Sequence, residues 1–103
     1  MQLFNDPFYL GGDLKFLVEL EAPGFDMDDD RFTVTLKGRK TEKVYEKADL
    51  VTDGEGKWYC CFESDDFGPG LIQVVLTAYV PDDDFEDGIR TEILKYNLIN
   101  VLK

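Results

Sequence analysis

Large apolar residues return at every second position in four stretches of this chain. Leu14, Phe16, Val18 and Leu20 make the first stretch, and Phe32, Val34 and Leu36 the second. Trp58, Cys60 and Phe62 make the third, and Ile72, Val74, Leu76, Ala78 and Val80 the fourth. A two-residue period belongs to a strand with one buried face. Ala22-Pro23-Gly24 interrupts the first stretch and Gly38 ends the second. Asp53-Gly54-Glu55-Gly56 reads as a hairpin ahead of the third, because glycine supplies positive φ at little steric cost. Gly68-Pro69-Gly70 reverses the chain before the fourth, and Pro81, which cannot donate to a sheet ladder, ends it.

Two segments are less regular. Residues 42–52 could serve a helical turn, but their β-branched residues favour a short edge strand kinked near Ala48. Residues 89–97 read as a further strand, with 98–102 extending it after a bend. Together the segments predict an all-β fold: an antiparallel, immunoglobulin-like sandwich of about seven strands. Residues 1–103 form one domain, with an apolar N-terminal arm at 1–12. The expected core is Phe16, Val18, Leu20, Val34, Leu36, Trp58, Phe62, Val74, Leu76 and Ala78.

Composition narrows the function. With 44% hydrophobic and 14% aromatic residues, the chain has material for a core without disulfides or a metal. Its 22 acidic residues against 11 basic, net −11 with no histidine, would repel a phosphate backbone or an anionic membrane surface. Direct nucleic-acid binding and membrane insertion are therefore not expected. Cys60 and Cys61 are adjacent, so a strand points them to opposite faces and they read as one buried and one outward thiol. The N-terminal sequence lacks the basic segment and continuous apolar run of a signal peptide.

Candidate chemistry is sparse. The acidic loop at 81–88 and the run Asp26–Asp30 invite a cation, yet neither places glycine sixth and glutamate twelfth as an EF-hand loop requires. A cation site of another kind stays open beside a structural reading. In the latter, Phe85 tucks into the sandwich end, Asp87-Gly88 makes the turn and Arg90 pairs with an aspartate. Ser64 is the only serine, and with no histidine to act as base, nucleophilic catalysis is unsupported. The chain is expected to be no enzyme and to use no cofactor. Trp58 with Tyr59 could offer a sugar-stacking platform, although sharing a face with Cys60 and Phe62 suggests a core tryptophan. The arm holds Leu3, Phe4, Phe8 and Tyr9 ahead of the first clear strand. It is either an intramolecular edge strand or a segment that docks on a neighbouring subunit.

The run GPGLIQVVLTAYVPDDDFEDGIRTE resembles small β-sandwich proteins of tailed phages and prophages of gut Bacteroides-type bacteria, crAss-like phages included. The likeness rests on Gly68, Pro69 and Gly70, then Pro81, Asp82, Asp84, Phe85, Asp87, Gly88, Arg90 and Glu92, and covers residues 49–92. Asp49–Asp53 and Gly56–Tyr59 sit where that pattern has a strand and its aromatic partner. The resemblance implies a non-enzymatic virion component assembled in the bacterial cytoplasm, an adaptor or a fibre, collar, tail or baseplate subunit. Its partners would be other virion proteins, with a homo-oligomer possible. Two other classes remain open: an acidic inhibitor that mimics DNA, and a carbohydrate-binding module.

Overall fold

The computed structural model describes residues 8–102. Its strands are β1 (Phe8–Tyr9), β2 (Asp13–Val18), β3 (Phe32–Lys37), β4 (Glu42–Glu46), β5 (Val51–Thr52), β6 (Trp58–Glu63), β7 (Gly70–Pro81) and β8 (Ile89–Leu102). A five-stranded sheet ordered β1-β8-β7-β3-β4 faces a three-stranded sheet ordered β2-β6-β5. All neighbours are antiparallel except β1 and β8, where Phe8 lies opposite Val101 and Tyr9 opposite Leu102. Successive strands change sheet between β1 and β2, β2 and β3, β4 and β5, and β6 and β7. The protein is an immunoglobulin-like β-sandwich.

The alternating apolar residues fill the space between the sheets. Leu14, Phe16 and Val18 of β2 meet Val34, Leu36, Val74 and Leu76 of the larger sheet, all buried. Of the expected core only Trp58 is half-buried; it stands at one end of the sandwich, edge-on to Phe32 with ring centroids 6.1 Å apart. Phe32 itself is fully enclosed.

Three segments differ from the sequence reading. Residues 42–52 are not one kinked edge strand. Glu46 and Asp49 cap a single 3-10 turn (Lys47–Asp49), with the Glu46 N–H donating to Asp49 Oδ2 at 2.9 Å. That turn carries the chain from the edge of the larger sheet to the edge of the smaller one. The first strand stops at Val18, yet Leu20 stays buried among the core residues. The sparsely charged C-terminal run Leu98–Leu102 reads from sequence as an unprotected edge, a candidate for pairing with another subunit. Instead β8 continues through it, Leu98–Val101 pairing with Gln73–Gly70, and β1 covers the far side of Val101 and Leu102. A register shift between Val74 and Val75 takes the place of the expected bend, and the pairing resumes on both sides of it.

Ser64 closes the end of the sandwich that holds Gly11 and Gly12. Its Oγ accepts from the Gly11 N–H at 2.9 Å, and its own N–H donates to the Gly12 carbonyl at 3.0 Å. The only serine is thus a buried structural tie.

Candidate functional site

The topology gathers three connections at the opposite end: residues 19–31 between β2 and β3, 53–57 between β5 and β6, and 82–88 between β7 and β8. More than half of the 22 acidic residues lie in these loops, with Lys57 and Arg31 their basic residues. Arg90 at the start of β8 ties two of the loops together. Its Nη1 donates to Asp82 Oδ2 at 2.5 Å, its Nε to Glu92 Oε2 at 3.3 Å, and its Nη2 to the Pro23 carbonyl. The third loop comes near as well, since a Cβ on Gly56 would stand 3.9 Å from Asp28 Oδ2.

The aspartates organise their own backbone. Asp26 Oδ1 accepts from the Asp28 N–H at 2.8 Å, and Asp30 Oδ2 from the Asp26 N–H at 2.9 Å. Asp53 Oδ1 takes the Glu55 N–H at 2.8 Å, Asp82 Oδ1 the Asp84 N–H at 3.0 Å, and Asp87 Oδ1 the Ile89 N–H at 3.1 Å. All but the Asp30 bond are Asx turns, the reason aspartate favours such loops. The Asp84 N–H and then the Arg90 guanidinium hold the Asp82 carboxyl below its ordinary range. Among the described residues no group of three or more His, Cys, Asp or Glu is arranged to hold a metal ion.

Phe85 corrects the expectation that it plugs the sandwich end: it is 48% exposed. Two successive turns, Phe85 N–H to the Asp82 carbonyl and Gly88 N–H to the Phe85 carbonyl, curl the loop upon itself and turn the ring outward. The place expected for the ring is closed by Val80, which is buried beneath Gly24 of the 19–31 loop. Of the remaining motif residues, Pro81 ends β7 and Gly88 takes φ +76° in the turn. Asp84 donates its N–H to Asp82, and its side chain is exposed. Of the arm residues, Phe8 and Tyr9 form β1, while Leu3 and Phe4 lie outside the described residues.

The outer face of the larger sheet was not singled out from the sequence. Register places Val44, Thr35 and Val75 in one row across β4, β3 and β7, and Glu46, Thr33, Thr77 and Ile93 in the next across β4 to β8. Where β3 and β7 pair, the outward positions are Thr33, Thr35, Lys37, Gln73, Val75 and Thr77, with no carboxylate among them. Thr33 and Val75 are buried under their neighbours, whereas Val44 is 57%, Leu71 55% and Ile93 62% exposed. Ion pairs border the face. Arg31 Nη2 meets Glu46 Oε1 at 2.6 Å, and the guanidinium lies 4.5 Å over the Tyr79 ring. Lys37 Nζ lies 3.8 Å from Glu42 Oε1. The Arg31 hydrogen bond holds the Glu46 carboxyl below its ordinary range. One signal for this face was in the sequence: three outward threonines on strands of a chain rich in acids.

The other candidates resolve into structure. Burial pushes the Cys60 thiol up to about 12, so it stays protonated and unreactive, while Cys61 is exposed. Trp58 has Phe32 against its ring at 6.1 Å and the Lys47 ammonium 5.5 Å over it. Its indole N–H is enclosed without a partner. The half-buried ring packs against the core cluster on one side. Among the described residues no helix is long and apolar enough to cross a membrane.

Neither a family model nor a curated protein matches the chain. Among solved structures it is similar to a candidate glycoside hydrolase of Bacteroides vulgatus, at 16% identity and a TM-score of 0.47. The likeness covers 90% of this chain and 16% of that protein.

Proposed function

We propose that the chain is a non-enzymatic structural subunit that works by protein–protein contact, as an adaptor or fibre, collar or tail-associated component of a tailed-phage particle. The observation that carries the contact role is the outer face of the larger sheet. A chain of net −11 leaves that face with an uncharged interior and exposed Val44, Leu71 and Ile93. An uncharged sheet face that also exposes apolar side chains suits contact with another protein surface. The assignment to a phage particle rests on the resemblance of residues 49–92, whose Asp82–Arg90 segment forms a self-supporting loop. The arm at 1–12 supplies a further contact in this reading.

Mass spectrometry of particles purified from an infected or induced host tests the assignment. The protein should appear at fixed stoichiometry with the other particle proteins, and deletion of residues 1–10 should lower its incorporation. Its absence from particles overturns the phage reading. The convergence of the acidic loops at one end favours one alternative, an inhibitor that mimics DNA. Salt-sensitive block of a host DNA-binding enzyme by the purified protein would replace the structural reading with that one.

A further inference from the structure

We propose that a cleft at the acidic end of the sandwich takes a long cationic side chain, lysine or arginine, from a basic segment of a partner protein. The proposal goes beyond the contact role above. It concerns the loop end and not the sheet face, and it holds whether or not the chain belongs to a particle.

The cleft exists because two strands part. Val18, the last residue of β2, lies opposite Trp58, the first of β6, and beyond that pair no ladder joins their chains. Residues 19–21 and Gly56–Lys57 become the sides of a gap of about 230 Å³. Val18 and Leu20 are buried in the core beneath it, and half-buried Met27 of the 19–31 loop packs on the same core, so its depth is apolar. Carboxylates stand at the mouth. Glu19 and Glu21 are exposed on one side, and Asp28 Oδ2 comes within 3.9 Å of where a Cβ on Gly56 would stand on the other. Lys57 is the basic residue of the lining. Among the described residues, neither it nor Glu21 nor Asp28 enters a salt bridge, so the mouth keeps its charge.

Size, lining and charge together select the occupant. The gap is smaller than the roughly 300 Å³ at which pockets for whole small molecules begin, so it suits a single side chain. An apolar depth under a carboxylate mouth matches a side chain that lays its aliphatic stem on apolar surface and keeps a cationic head in water. The loops 19–31, 53–57 and 82–88 hold an excess of acid equal to the chain's whole net charge of −11. The field at this end therefore draws cations and repels nucleic acid, anionic lipid and the same end of another copy.

Nuclear magnetic resonance titration of the full chain tests the proposal, with a Gly-Lys-Gly-Lys-Gly peptide capped at both ends and taken to about 5 mM at low salt. The Met27 methyl and the Leu20 and Gly56 amide signals should move saturably, and less as salt is raised. Glu21→Lys changes an exposed position, so it should fold normally by circular dichroism and weaken binding at least about fivefold. Glu86→Lys makes the same charge change on the 82–88 loop, away from the cleft, and should weaken binding less than about twofold. Equal weakening by both variants, or shifts spread over the loops without Met27, would show a general attraction to the acidic end and overturn the cleft. Putrescine has the same charge as the peptide; if it moves the same signals at lower concentration, a free amine is the ligand and the protein partner is overturned. No movement of these signals with either probe overturns the proposal outright. The phage assignment is read separately, from particle incorporation.

Discussion

Replacing Phe32 with leucine should lower stability by about 2–3 kcal/mol. Phe32 opens β3 with no exposed surface, and its ring receives three partners. Phe25 of the 19–31 loop stands edge-on at 6.2 Å and 80°, and Trp58 of β6 at 6.1 Å and 80°. The Lys47 ammonium lies 5.3 Å from the ring centroid. Leucine retains most of the apolar burial but loses the ring. Each edge-to-face pair is worth about 0.5–1.5 kcal/mol beyond area, and a cation over a ring about 0.5–1 kcal/mol. Incomplete filling of the site adds to the loss. For a domain of this size the melting temperature should fall by about 10–20 °C. Urea unfolding followed by Trp58 fluorescence is the assay, since the reporter sits in the same cluster. The midpoint should drop with an unchanged denaturant slope, and Trp58 emission should shift in the folded state. A loss below about 1 kcal/mol with unmoved Trp58 emission would show that the cluster does not join loop, turn and sheet.

A thiol reagent should modify Cys61 quickly in the folded protein and Cys60 only on unfolding. Cys60 keeps its proton to about pH 12 when folded but releases it near its ordinary value of 9.0 when unfolded. Stability should therefore be intact below about pH 9 and fall by about 1.4 kcal/mol per pH unit above it, a slope that Cys60→Ala removes. Glu46 and Asp82 run the other way: both carboxyls are held low, so their contribution is full above the unfolded carboxylate range and vanishes as pH falls through the folded values. The urea midpoint should accordingly fall less between about pH 5 and pH 2 in Glu46→Gln than in wild type. Gly88→Ala should cost about 1 kcal/mol in chemical denaturation through backbone strain alone, because φ is +76° while a Cβ there would meet nothing within 4 Å.

Strand identity was legible because burial leaves a direct trace in alternation, as in Ile72 to Val80, where every second residue is buried. Phe32 was visible in its strand, but its weight as the hub of an aromatic cluster was not, since Phe25 and Trp58 reach it only through the fold. The change of sheet near Ala48 was hidden for a similar reason. A two-residue strand such as β5 has no period to detect, and the turn before it is set by the Glu46–Asp49 reciprocal cap. Phe85 misled because a large aromatic in a polar loop usually anchors it, whereas here hydrogen bonds fix the loop without the ring. The outer face depends on which strands become neighbours. Val44 and Ile93 are far apart in sequence, and only the order β8-β7-β3-β4 puts them on one surface.

The unequal sheets give the molecule an order of opening. β7 is bonded along its twelve residues to β8 and along half of them to β3, while the smaller sheet has a single interior strand, β6, between six-residue β2 and two-residue β5. Amide protons on β7 should be the last to exchange with solvent, at the free energy of global unfolding, and those of β5 among the first. Between those limits lies a partly opened form in which the smaller sheet has lifted while the larger one persists. Such a form bares Phe32, Val34 and Leu36, so the route by which this protein aggregates would begin with loss of its thinner layer.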